Sequence, residues 1–129
     1  MIHQASDLPI RLKNGYLAKK PMIVVAHSKG TVSILELLKE NRYISEFEIV
    51  EENNKKAITV TLLYTDKKPA ITNVKIISKP GRRIYNPVKK LQPVLGGMGM
   101  ALISTPQGIV TDTKAREVGI GGEVLFYIW

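Results

Sequence analysis

Five consecutive residues, Ser104-Thr105-Pro106-Gln107-Gly108, gather two hydroxyls, an amide and a bare backbone position, a concentrated set of groups that could do chemistry. A hydroxyl acts as a nucleophile only when a neighbour takes its proton, and Ile103, Pro106 and Gln107 supply no such group. As hydrogen-bonding groups, the same side chains need only be presented at a surface. A narrow loop of this kind fits the wide, shallow minor groove of an A-form duplex, where 2′-hydroxyls are exposed. The approach to the loop sets the electrostatics. Residues 67–111, forty-five in number, hold no Asp or Glu but carry Lys67, Lys68, Lys75, Lys79, Arg82, Arg83, Lys89 and Lys90. The formal charge of +8 divides at Asp66, with nine Lys/Arg against eight Asp/Glu up to that point and ten against three beyond it. A cationic face confined to one region is the footprint of a nucleic-acid binder, because each neutralised phosphate releases condensed counterions.

Tyr85, beside Arg82 and Arg83, can stack on an unpaired base or pack at a sheet edge, and spacing leaves both open. In Gly119-Ile120-Gly121-Gly122 the first glycine reads as a helix stop, while Gly121 and Gly122 offer backbone that a sugar-phosphate chain could approach closely. Glu123 stands out in a basic region, either orienting cations or accepting from a base amino or sugar hydroxyl. Gly96-Gly97-Met98-Gly99 has no Lys-Ser or Lys-Thr after it and opens no long helix, so it reads as a bend rather than a phosphate loop. His3 and His27 have no carboxylate at ligand or triad spacing, and the chain has no Cys. No metal, cofactor or catalytic group is expected. A hydrolase built on Ser104 or Thr105 is the rival from another class, and it lacks a positioned base.

The elements that must position these residues follow from periodicity. Asp7 is expected to cap a short opening helix with Pro9 in its first turn and Leu8, Leu12 and Leu17 as a thin apolar stripe. Met22–Ala26 reads as a strand, and Ser28 as the N-cap of a helix reaching residue 41 with Ile34, Leu35 and Leu38 inward. Residues 44–50 and 57–64 form a strand pair whose alternation leaves one face wet. A strand over residues 71–77 leads to the Pro80-Gly81 turn, and a short helical piece is expected over residues 88–91. A strand over residues 100–104 enters the hairpin at Gln107-Gly108. Asp112 is expected to cap a short helix ended by Gly119, and residues 123–129 form the last strand.

The expected fold is α+β in two small modules. Residues 1–78 make an α-β-α-β-β unit, and residues 79–129 make a mostly antiparallel β unit with short helices that carries the RNA-binding groups. The N-terminus has neither the basic nor the apolar region of a secretory leader, and no apolar run could span a bilayer, so a soluble intracellular chain is expected.

Four ordered stretches, Asp7 to Gly15, Ser78 to Tyr85, Ile103 to Asp112 and Gly121 to Val124, resemble the small ribosomal subunit protein eight family of bacterial type along nearly the whole chain. The resemblance implies a non-enzymatic constituent of the small ribosomal subunit, in the cytoplasm or an organelle matrix. It also implies direct binding to the central domain of the small-subunit ribosomal RNA, with neighbouring small-subunit proteins as partners. In some bacteria it further implies repression of the protein's own operon messenger through a mimicking hairpin. Its main RNA contact matches Ser104, Thr105 and Gly108, supported by Tyr85 and by Gly121, Gly122 and Glu123; Gln107, Lys79, Arg82 and Arg83 join them as candidates from hydrogen-bonding capacity and charge alone. Ser28 and Lys29 resemble a weaker first-module contact. Two positions depart from the pattern. Pro106 replaces a usual serine, and Pro9 is expected to interrupt a helix that is usually longer.

Overall fold

The computed structural model describes residues 2–129, with side chains from Asp7 onward. The opening helix α1 spans Ile2–Leu17 and runs straight through Pro9, contrary to the short helix expected there. A helix-interior proline costs about 3 kcal/mol. Leu8, Leu12 and Tyr16, spaced by four, are all nearly fully buried, and each such side chain contributes roughly 1.5–3 kcal/mol, so tertiary packing outweighs the break. The inward stripe ends at Tyr16, because Leu17 is 68% exposed. Asp7 is no cap: it pairs with Arg11 one turn on, at 2.7 Å.

Helix α2, Lys29–Glu40, begins as expected, with the Ser28 hydroxyl accepting from the Thr31 N–H, and it buries Thr31, Ile34, Leu35 and Leu38. Strands β1 (Met22–Ala26), β2 (Glu46–Glu52) and β3 (Lys55–Thr61) form an antiparallel sheet in the order β1-β3-β2. The β2–β3 hairpin turns at Asn53 and Asn54, with φ of +53° and +64°, the paired left-handed conformation that a tight hairpin requires and that Asn tolerates. A two-residue hairpin, β4 (Tyr64–Thr65) with β5 (Lys68–Pro69), follows where only a link was expected. Its turn residues Asp66 and Lys67 also take positive φ.

The second sheet contains β6 (Val74–Ile76), β7 (Tyr85–Asn86), β8 (Met100–Thr105), β9 (Gly108–Thr111) and β10 (Gly122–Ile128). Its order is β6-β10-β8-β9, with β7 also paired to β10. Strand β6 is shorter than expected because the Thr72 and Asn73 amides both donate to the Trp129 carbonyl instead of continuing a ladder. The helical piece expected near residue 88 is a 3-10 turn, Val88–Lys90, and a second one, Val94–Gly97, contains the glycine bend. Helix α3 spans Asp112–Val118 and ends at Gly119 in the left-handed region. Its cap is Thr111, not Asp112: the Thr111 hydroxyl accepts from the Lys114 N–H, which leaves the Asp112 carboxylate to turn inward.

The second sheet is covered on both faces. Met100, Leu102, Phe126 and Ile128 join Leu8, Leu12, Leu35 and Ile58 in the main core, while Ala101, Ile103 and Val124 pack with Leu91, Val94 and Ala115 on the other side. The overall class is α+β, as expected. No helix among the described residues is long and apolar enough to cross a membrane.

Two buried polar groups hold these layers in place. The Asp112 carboxylate accepts from the Ala101 N–H at 3.0 Å and from Arg116 at 2.8 Å. The Tyr16 hydroxyl donates to the Tyr43 carbonyl at 2.7 Å and accepts from the Leu63 N–H at 3.0 Å. Burial, with a smaller push from Tyr64, drives the Tyr16 hydroxyl up to about 12 from an ordinary 10.0, against the opposing pull of the Leu63 N–H. Asp112→Ala orphans a buried amide and a guanidinium and is expected to cost about 3 kcal/mol in denaturant unfolding. Tyr16→Phe is expected to cost about 1–2 kcal/mol. Because the folded state holds the Tyr16 proton longer than the unfolded state, its contribution is complete below pH 10 and is lost as pH rises to about 12. Unfolding curves across that window should therefore fall less steeply with pH in Tyr16→Phe than in wild type.

Candidate RNA interface

The second sheet gathers residues that lie far apart in sequence. Glu123 of β10 pairs on one side with Tyr85 of β7 and on the other with Ser104 of β8, and Ser104 pairs in turn with Ile109 of β9. Tyr85, Glu123 and Ser104 thus form a row across the sheet on one face, since directly paired side chains share a face. Along β8 the same face carries Met100 and Leu102 in the core. The core face therefore emerges from the interior at Ser104.

Two glycines make the row possible. A side chain at Gly121 would collide with the backbone of Asn86 and Pro87, and one at Gly122 would collide with the Ser104 carbonyl. The space beside both Cα atoms is filled by this chain's own backbone, which brings β7 and β8 tightly against the start of β10.

The hairpin tip is closed from within. Thr105 pairs with Gly108, so Pro106 and Gln107 form the turn. The Thr105 hydroxyl donates to the Gly108 carbonyl at 2.7 Å and accepts from the Gln107 N–H at 3.1 Å. Gly108 has a φ of +108°, which a side chain would oppose. Proline presets the backbone at the first turn position, so Pro106 is absorbed by the turn. The Thr105 proton is committed inside the loop, whereas Ser104 makes no side-chain hydrogen bond among the described residues, and Gln107 is exposed.

Beside the row, Lys79 and Arg82 face each other across the Pro80-Gly81 turn through two 2.9 Å backbone hydrogen bonds. Lys79, Arg82 and Arg83 are all exposed. This loop is tied down by Ser78, whose buried hydroxyl accepts from the Ile84 N–H at 3.0 Å, while the Ile84 carbonyl accepts from Val124 of β10. The anchoring role of Ser78 escapes sequence reasoning, and its only signal is its position at the start of a recognisable motif. Tyr85 is 64% exposed, so its ring is presented to solvent rather than packed under the sheet edge.

Glu123 is only 7% exposed, and its Oε2 has no hydrogen-bond partner among the described residues. A buried, unmatched carboxylate oxygen is costly, and such atoms call for a physical reason. Glu123 is the sheet neighbour of Ser104, yet among the described residues no hydrogen bond joins them and no imidazole lies in the row, so none of these residues activates the Ser104 hydroxyl. The side chain of His3 lies outside the described residues. Ser28 and Lys29 stand apart from the row at the start of α2, where both hydrogen bonds of the Ser28 hydroxyl stay with Thr31.

The model of the family described as ribosomal protein S8 matches residues 3–129. The chain is 43% identical over 126 residues to small ribosomal subunit protein uS8c of Phaeodactylum tricornutum, with 96% of each chain covered. It is 44% identical over 126 residues to small ribosomal subunit protein uS8 of Gloeothece citriformis, covering 96% of this chain and 95% of that one. It is 42% identical over 124 residues to small ribosomal subunit protein uS8 of Dictyoglomus thermophilum, again covering 96% and 95%. With the match running through both sheets and the hairpin, the chain belongs to the ribosomal protein S8 family.

Proposed function

We propose that this protein is a non-enzymatic constituent of the small ribosomal subunit that binds the central domain of the small-subunit ribosomal RNA directly and helps it to fold. The observation that carries this reading is the Tyr85–Glu123–Ser104 row, continued by the hairpin tip and flanked by exposed cations from residues 67–111, a stretch without Asp or Glu. Residues 79–129 act as the binding module. Ser104 and Gln107 enter the minor groove and bond to 2′-hydroxyls and base edges, Tyr85 stacks on an unpaired base, and Glu123 Oε2 accepts from a sugar hydroxyl or base amino group. Lys79, Arg82 and Arg83 hold phosphates and fix register without reading sequence. Ser28 and Lys29 add a weaker phosphate contact at the α2 N-terminus. The same surface serves equally for a messenger hairpin of similar shape.

The reading separates two kinds of residue that a salt titration can tell apart, using a hairpin from the central domain and a hairpin of unrelated sequence. Arg82→Ala should weaken both complexes and make log K against log salt shallower by about one unit, one released counterion. Ser104→Ala should keep the wild-type slope and lose about 1 kcal/mol for the cognate hairpin alone. Equal losses on both hairpins from Ser104→Ala would defeat the assignment of discrimination to this row.

A further inference from the structure

The first sheet has a face for which the RNA reading has no use. Core packing places Ile23, Val25, Ile58, Val60 and Phe47 on its inner side. The register then sets three rows on the outer side, Met22–Thr61–Glu46, Val24–Thr59–Glu48 and Ala26–Ala57–Val50, and beyond the end of β1 the pair Lys55–Glu52. Met22, Val24 and Val50 are 49%, 56% and 38% exposed. The face is thus apolar along β1, hydroxyl and methyl along β3 up to Lys55 at its first position, and acidic along β2 apart from Val50. Glu46 is held by Lys39 at 2.6 Å, while Glu48 and Glu52 have no ion pair among the described residues. In a chain of net charge +8, strand β2 carries four glutamates and no cation.

Such a face repels phosphate and leaves apolar side chains in water beside carboxylates. Strands about 4.8 Å apart put the apolar and acidic margins roughly 10 Å from each other, close to the diameter of a helix with its side chains. A polypeptide with an apolar stripe and a flank of Lys or Arg meets both margins at once. A second copy of this chain would bring +8 against +8, which opposes self-association.

We propose that the outer face of the β1–β3–β2 sheet seats a basic, amphipathic segment of a neighbouring small-subunit protein, with Met22 and Val24 meeting its apolar stripe and Glu46 and Glu48 its cations. The inference rests on the ribosomal reading above and names a partner surface away from the RNA row.

Because the chain has no Cys, Val24→Cys gives a single attachment point for a benzophenone maleimide. The labelled protein is assembled into small subunits from purified ribosomal RNA and the other small-subunit proteins, irradiated, and its adducts sequenced by mass spectrometry. The expected adduct is a Lys/Arg-rich peptide of another protein, with a yield that falls about tenfold when Glu46→Lys and Glu48→Lys are added. The same charge reversals should leave affinity for the central-domain hairpin within about twofold, as expected of distant sites. Adducts with RNA, with a second copy of this chain or with a peptide poor in cations would overturn the proposal, as would no adduct in subunits that contain the protein. Failure of the unlabelled chain to bind the hairpin or enter subunits would instead sink the RNA reading and take this inference with it.

Discussion

The geometry of the candidate interface depends on how closely β10 can be approached at its first residues. Gly121 and Gly122 have no room for a Cβ, because the backbone of Asn86 and Pro87 lies against one and the Ser104 carbonyl against the other. Removing the side chains lets β7 and β8 flank β10 at its start, and only then do Tyr85, Glu123 and Ser104 share a row. Downstream, a register irregularity between Val124 and Phe126 breaks the strict alternation of β10, so that Phe126 and Ile128 fill the main core while Val124 packs on the other side. Strand β10 thereby serves two tasks in seven residues: its later part joins the core layers and its first part presents polar groups.

Local chemistry made much of the fold legible. Ser28 as a cap, Gly119 as a left-handed stop and the alternation around Ile58 and Val60 are decided by residues within one turn or one strand, and each appears where the sequence puts it. Misreadings arise where distant contacts decide. Pro9 looks like a helix start until Leu8, Leu12 and Tyr16 are seen to bury against the sheets. Asp112 looks like a cap until the Ala101 amide claims its carboxylate. The two-residue strands β5 and β7 are too short to show periodicity at all.

For the candidate site, residue types were legible and their arrangement was not. A hydroxyl-bearing loop, an aromatic beside two arginines and a lone glutamate can be picked out along the chain. That Tyr85 and Ser104 are both sheet partners of Glu123 depends on strand pairing between segments nearly twenty and forty residues apart, set by the glycines and the irregularity in β10. The chain's charge pattern follows the same division. Cations concentrate from residue 67 onward, whereas the stretch up to Asp66, which holds the acidic β2, has nine Lys/Arg against eight Asp/Glu.

The internal bonding of the hairpin tip bears on how binding energy is used. A flexible loop must be ordered on binding, at about 1–2 kcal/mol per residue of backbone, and that loss comes straight out of affinity. Here the loop is already ordered in the free chain: the Thr105 hydroxyl bridges Gln107 and Gly108, Pro106 restricts φ, and Ser78 fixes the neighbouring cationic loop against β10. The consequence is a division of hydroxyls. Thr105 surrenders its proton to the fold, whereas Ser104, at the preceding position of the same strand, makes no side-chain hydrogen bond among the described residues and is the hydroxyl that the proposed reading assigns to the partner. A rigid tip of this kind also reads shape well, since a helix that does not match it gains nothing from the loop's adjustment. Proline at position 106 strengthens that rigidity while removing a donor, so in the proposed reading recognition rests less on counting hydrogen bonds than on fit.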